Sequence, residues 1–193
     1  MLKHSPTPLN SICVFCGSAP GHDPEFMRTA DALGHAMAKA GIRLIYGGGN
    51  SGLMGQVARA SLASGGEVHG IIPHFLRTRE HMLEGAHRME IVPDMHTRKR
   101  LMFEAADAFV ALPGGIGTLE ELFEQLTWVQ LQQHKKPVLI ANINGFWDRL
   151  LDLMVHVREE GFIREGLTPR FLVTRDVEAI VPMLQAEMRA LAG

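Results

Sequence analysis

One stretch constrains this chain more than any other: Leu112-Pro113-Gly114-Gly115-Ile116-Gly117-Thr118-Leu119-Glu120-Glu121. The residues before it, Ala108 to Leu112, form a short apolar run of strand length. The residues after it place Leu119, Leu122, Phe123, Leu126 and Val129 at the spacing of an amphipathic helix. The stretch is therefore a strand–turn–helix junction. Gly114, Gly115 and Gly117 permit a tight turn and leave no Cβ between the backbone and a ligand. The helix that follows presents unpaired N–H groups and a partial positive charge at its start. Together these make a seat for a phosphate group. Glu121 falls within the first turn or so of that helix, and a carboxylate beside a phosphate calls for a chemical role.

The rest of the chain repeats the same grammar. Strands are expected over residues 12–16, 42–46, 68–72, 89–92, 108–112, 138–141 and 171–173. Helices are expected over 24–40, 53–63, 94–106, 117–132, 146–160 and 177–191. Asp23 stands where an N-cap is wanted, with Pro24 behind it in the first turn, and Asp94 stands as a second cap. Alternating strands and helices with short glycine-rich turns specify an α/β fold, a doubly wound parallel sheet with helices on both faces. The glycine-rich turns at 17–21, 47–52 and 114–117 all follow strands, so all three open on the carboxyl edge, where such sheets bind ligands. Residues 1–10 read as a loose polar tail and 11–193 as one domain. Residues 74–86 carry many charges and no period, and read as a mobile loop.

Composition excludes several classes. There are 19 Lys and Arg against 21 Asp and Glu, so no basic stripe argues for nucleic acid. No apolar run is long enough to span a membrane, and the absence of a targeting signal makes the cytoplasm the default location. The histidines are scattered without ligand spacing, so no metal is expected. Cys13 and Cys16 lie on the first strand, pointing to opposite faces, and read as small buried hydrophobes. No G-x-S-x-G elbow and no G-K-[ST] Walker signature occurs.

Two further patterns carry chemistry. Gly47-Gly48-Gly49-Asn50-Ser51-Gly52 satisfies G-x-G-x-x-G, which raises an NAD-dependent oxidoreductase. That site also needs an acid about 20 residues on, at the end of the next strand. The available acid, Glu67, precedes its strand, and the glycines follow the second strand rather than the first. On the helix after Asp94, Met95, Met102, Ala105 and Ala106 form the apolar stripe, yet Arg98 falls inside it and Lys99 on its border. Charges facing inward need a partner, and both lie at the helix end that disfavours cations. An anion or carboxylate partner is expected. On the glycine-turn helix, Glu121, Glu124 and Trp128 lie opposite the apolar side, and a Trp there suggests that another surface covers that face.

These motifs resemble a known family. Met95-His96-Thr97-Arg98-Lys99, followed by Pro113-Gly114-Gly115-Ile116-Gly117-Thr118-Leu119-Glu120-Glu121, is similar to the paired signature of the LOG ("Lonely Guy") family. These are cytokinin riboside 5'-monophosphate phosphoribohydrolases, often labelled lysine decarboxylases. Cys16-Gly17-Ser18, Tyr46-Gly47-Gly48-Gly49, Gly52-Leu53-Met54-Gly55, Gly70-Ile71-Ile72-Pro73 and the run Thr127-Trp128-Val129-Gln130-Leu131 extend the likeness over nearly the whole chain. Asn50-Ser51 departs from the pair that many members carry. The resemblance implies a Rossmann-like three-layer α/β/α fold, a homodimer, and hydrolysis of a nucleoside 5'-monophosphate to free base and ribose 5-phosphate, with no metal or organic cofactor. By motif match it makes Arg98 and Glu121 catalytic. It makes Lys99, Gly114, Gly115, Gly117, Thr118, Glu120 and Thr127 substrate-binding, with Glu80 a further ligand residue.

The residues support that chemistry on their own terms. Breaking an N-glycosidic bond develops positive charge on the ribose, and a carboxylate near C1′ answers it. The helix N-terminus is expected to help keep Glu121 ionised. A decarboxylase of the pyridoxal phosphate type would need a lysine for the cofactor, and Lys99 is the only one near the motifs. Two rival readings are a nucleotide-binding sensor, in which Arg98 and Glu121 would have no task, and the NAD enzyme discussed above.

Overall fold

The computed structural model describes residues 8–77, 80–164 and 166–192. Seven strands alternate with six helices: β1 (Ser11–Phe15), α1 (Pro24–Lys39), β2 (Arg43–Tyr46), α2 (Gly52–Ala63), β3 (Val68–Pro73), β4 (Arg88–Val92), α3 (Met95–Ala105), β5 (Ala108–Ala111), α4 (Ile116–Gln130), β6 (Val138–Ala141), α5 (Asp148–Glu159), β7 (Leu172–Thr174) and α6 (Ile180–Ala192). All the expected strands and helices are present. The helix expected at 146–160 is preceded by a 3₁₀ turn, Ile143–Gly145, and the one expected at 177–191 begins with another, Val177–Ala179.

The sheet order is β4-β3-β2-β1-β5-β6-β7 and every pairing is parallel. The chain starts at the centre, winds outward through β4, then returns to lay β5 against the other side of β1. The winding therefore reverses between β1 and β5, and the crevice at their carboxyl ends is the place where such a sheet accepts a ligand. This is a Rossmann-like, three-layer α/β/α fold. The two faces can be read from strand alternation. Ile12, Val14 and Cys16 join the core under α1, α2 and α6, while Cys13 and Phe15 join the core under α3, α4 and α5. Both cysteines are free and buried, on opposite faces as expected.

Local chemistry explains the helix starts. Asp23 accepts from the Glu25 N–H at 2.8 Å, and Asp94 accepts from the Thr97 N–H at 2.8 Å. The tail expectation needs a correction at its end. Residues 1–7 lie outside the described residues, but Asn10 is tied down. Its N–H donates to Asp107 at 2.9 Å and its carbonyl accepts from Arg43 at 2.8 Å. The expected mobile loop is also corrected over its described part. The Leu83 N–H donates to the Gly48 carbonyl at 3.1 Å and the Asn50 N–H to the Glu80 carbonyl at 3.0 Å, so this segment is pinned over the second glycine turn. Thr78 and Arg79 lie outside the described residues.

Helices α1 and α2 pack closely at Gly34. A Cβ there would lie 2.4 Å from the Val57 carbonyl oxygen and 2.9 Å from the Ser61 amide nitrogen. Backbone on both sides of the contact cannot give way cheaply, so Gly34→Ala is expected to lower stability by about 1–3 kcal/mol. The measurement is a urea melt, with a lower midpoint at an unchanged slope.

Candidate active site

The three glycine turns meet at the β1–β5 crevice and are stitched to one another. The Gly17 N–H donates to the Pro113 carbonyl at 3.0 Å, and the Gly17 carbonyl accepts from the Met54 N–H at 3.2 Å. Two positions require glycine for this contact. A Cβ on Gly114 would sit 2.1 Å from Thr118 Oγ1, and one on Gly52, whose φ is +56°, would sit 2.4 Å from the Ala19 nitrogen. Gly115 and Gly117 differ: their missing side chains face open space. Helix α4 begins at Gly115 without a side-chain cap. Its first N–H groups and the positive end of its dipole thus face the crevice. A cavity of about 290 Å³ opens beside this turn, walled by Gly17, Pro20, Leu53, Gly115 and Phe146. A cavity of about 330 Å³ at the opposite edge of the sheet, lined by Lys136 and Phe171 among others, is remote from these turns.

Arg98 and Glu121 meet above the crevice. Arg98 is 5% exposed and Glu121 8%. Arg98 Nη2 lies 3.9 Å from Glu121 Oε1, and it donates to the Gly47 carbonyl at 3.4 Å. Arg98 Nη1 reaches only the Met95 sulfur, at 3.7 Å, and Nε is buried without a partner among the described residues. A buried guanidinium with such long contacts retains donors for a ligand. The expected carboxylate partner of the inward-facing Arg98 is therefore Glu121. Sequence reasoning missed the residue that makes the room. A Cβ on Gly47 would fall 2.0 Å from Arg98 Nη2. The only signal available was a glycine at the end of a neighbouring strand, far away in sequence.

The helical wheel of α4 needs correction. Phe123, expected inside, is 40% exposed. Glu121, expected on the outer face, is buried, as is Gln125, and the true inward stripe is Thr118, Glu121, Leu122, Gln125 and Leu126. Trp128 is half-buried and packs edge-on against Phe103 of α3 at 4.9 Å between ring centres. Glu124 is likewise engaged: Lys99 of α3 sits between Glu120 and Glu124, the latter at 3.0 Å. The second charge on the α3 stripe thus also has carboxylate partners. Burial works to lower the Lys99 pKa, but hydrogen bonds to Glu120 and Glu124 hold it above the usual value.

The remaining site residues divide in two. Thr118 is buried at the turn, and Glu80 reaches in over the second turn, its Oε2 about 3.1 Å from where a Gly49 Cβ would be. Thr127 is not brought to the Arg98–Glu121 pair. It lies on the exposed face of α4, its hydroxyl donating back to the Phe123 carbonyl at 2.7 Å. Glu67, the acid weighed for a dinucleotide ribose, precedes β3 and pairs with Arg43 at 2.8 Å, at the amino edge of the sheet.

A glycine turn and an uncapped helix at a switch point, overlain by a buried ionisable pair, define an α/β protein built for a phosphorylated ligand. The chain belongs to the family described as "possible lysine decarboxylase", whose sequence model matches residues 54–184. Its relatives bear the name that the motifs suggested. A cytokinin riboside 5'-monophosphate phosphoribohydrolase of Rhodococcoides fascians is 43% identical over 182 residues, 94% of this chain and 91% of that protein. One from Arabidopsis thaliana is 47% identical over 152 residues, 79% of this chain and 70% of that protein. Among solved structures, the Moco carrier protein of Chlamydomonas reinhardtii shares the fold at a TM-score of 0.68 and 19% identity, over 93% of this chain and 98% of that one.

Glu121 is not the firmly ionised carboxylate expected from the helix dipole. Burial pushes its pKa up to about 7; Arg98 opposes the rise, and Glu120 and Glu80 add to it. The native state thus keeps a proton that an ordinary glutamate, at 4.5, has already released. Between those values the native state binds more protons than the unfolded chain, so this group makes stability fall as pH rises, levelling off above about 7. Glu121→Gln is expected to reduce that slope, read from urea midpoints at about pH 5 and about pH 8.

Proposed function

We propose that this chain hydrolyses the N-glycosidic bond of adenine-type nucleoside 5'-monophosphates, cytokinin riboside 5'-monophosphate or AMP, to free base and ribose 5-phosphate. The observation that carries the reading is the buried Arg98–Glu121 pair beside the uncapped start of α4. In this reading Gly114, Gly115, Gly117 and Thr118 hold the 5'-phosphate, and its binding energy positions C1′ near Glu121. As a carboxylate, Glu121 stabilises the ribosyl cation and accepts a proton from the attacking water. Arg98 orients Glu121 and offers its free donors to substrate oxygens. Lys99, Glu120 and Glu80 complete the substrate contacts, and Thr127, on the exposed face of α4, joins them where a second copy covers that face. Glu121 activates the attacking water in this reading, which therefore includes no metal or organic cofactor. The same reading has one domain, residues 11–193, carry the whole site. A cytoplasmic location fits the two free thiols.

The test is to incubate the purified chain with AMP and follow adenine by chromatography. Adenine release is expected, with adenosine a far poorer substrate, since each charge-assisted phosphate contact is worth about 1.5–3 kcal/mol. Glu121→Gln should lose about 10²–10³ in turnover, while Glu120→Gln should mainly raise KM. Binding of AMP without release of adenine would favour a nucleotide sensor instead.

The reading includes a homodimer, on a surface other than the Trp128 face. Ile116, Phe123 and Leu131 are 82%, 40% and 57% exposed and share one stripe of α4 with Glu120 and Thr127. A second copy covering this stripe would bury it and enclose the outer substrate contacts. Phe123→Asp is expected to convert a dimer to a monomer in light scattering; a monomeric parent chain at micromolar concentration would remove the dimer from the reading.

A further inference from the structure

The site holds two carboxylates around one guanidinium, and only one of them has a partner. Glu121 pairs with Arg98, whereas Glu80 Oε2 is buried with no hydrogen-bond partner among the described residues. The backbone of Glu80 is fixed: its N–H donates to the Leu76 carbonyl at 2.9 Å and its carbonyl accepts from Asn50 at 3.0 Å. Its side chain lies against Gly49, just beyond β2, while Glu121 projects from the helix that follows β5. β1 lies between those strands, so the two elements stand two strand spacings apart, about 10 Å. That separation suits a nucleoside. With the phosphate on α4 and the ribose near Glu121, the base extends toward β2 and Glu80.

Cleaving the bond leaves an electron pair on the purine, and a purine anion departs poorly unless a proton meets it. We propose that Glu80 is the general acid that protonates the leaving base, a role that rests on the hydrolase reading given above. The N9–C1′ bond breaks with its electron pair going to the base, and the Glu80 carboxyl gives its proton to a ring nitrogen. Water adds its oxygen to C1′ and yields a proton to the Glu121 carboxylate. A proton returned through solvent from Glu121 to Glu80 restores the starting state, so the sum is nucleotide plus water giving base plus ribose 5-phosphate.

The surroundings support this division. Burial raises the Glu80 pKa, with Arg98 pulling the other way. The charged or titratable groups that face it are Arg98 on α3, Glu121 on α4 and Cys16 at the end of β1, and Cys16 is a thiol that burial keeps neutral. One positive charge faces a buried carboxylate, Glu121, and a half-buried one, Glu80, and the Glu80 charge raises the Glu121 pKa further, so ionising both together is disfavoured. A ribosyl cation forming against Glu121 draws that residue to its ionised form and leaves the proton on Glu80.

The experiment compares the parent chain and Glu80→Gln on two substrates: AMP, and the 5-phosphate of 4-nitrophenyl riboside, whose nitrophenoxide leaves without protonation. The variant is expected to lose about 10²–10⁴ in kcat on AMP, to lose less than about tenfold on the nitrophenyl substrate, and to shed the alkaline limb of kcat against pH. Retained turnover of the activated substrate also reports an intact fold. Equal losses on both substrates would overturn the proposal, as would an unchanged alkaline limb, or a raised KM with kcat preserved, which marks a binding residue. A parent chain that releases no adenine from AMP would instead overturn the hydrolase reading itself.

Discussion

The structure turns on one buried cation. The Arg98 guanidinium lies between the Gly47 carbonyl and the Glu121 carboxylate, and each neighbour is there for a reason found elsewhere in the chain. Gly47 lacks the Cβ that would occupy the position of Nη2. Asp94 starts α3 at the register that turns Arg98 inward, and the glycine turn after β5 starts α4 at the register that buries Glu121. A buried ion pair at a long separation contributes little to stability, because desolvation costs about as much as attraction returns. Its retention is better understood as a device for holding unsatisfied donors and an acid of raised pKa at the switch point of the sheet.

The helix starts sort in the same way. α1 and α3 are closed by Asp23 and Asp94 side chains, whereas α2, α4 and α5 begin at Ser51, Gly115 and Trp147 without a side-chain cap, and of these α2 and α4 follow glycine turns at the crevice. Capping satisfies the first N–H groups of a helix, and an uncapped start keeps them available. At α2 and α4 the open start lies at the crevice, so their first backbone donors remain available to a ligand there.

Much of this was legible in the sequence, and the reasons for success and failure are physical. The glycine turns announced strand ends, and alternation along β1 placed Cys13 and Cys16 on opposite faces. Arg98 was recognisable because a charge in an apolar stripe has few innocent explanations. The rotation of α4 was misread, because a hydrophobic pattern has no sign for a polar residue buried by function. The hydrophobic period places Phe123 in the core and Glu121 on the surface, and the structure reverses both. The contact of Trp128 with Phe103 of α3 joins residues far apart in the chain and has no signal in the helical pattern of α4. The docking of residues 80–83 over the second turn rests on backbone hydrogen bonds, which leave no side-chain signature.

Lys99 joins α3 to α4 through Glu120 and Glu124, and each side of this clasp adjoins a member of the buried pair: Arg98 precedes Lys99, and Glu121 follows Glu120. The clasp therefore bears on the relative pose of the two helices whose adjacent side chains, Arg98 and Glu121, meet in the interior. Truncating Lys99 or Glu120 would change two things at once, a contact at the rim and the alignment of the pair beneath. Alanine scanning across this seam cannot apportion its losses residue by residue, because the quantity it perturbs belongs to the helix pair. Only double-mutant cycles that break the clasp and the buried pair together would separate grip on the ligand from the bearing of one helix upon the other.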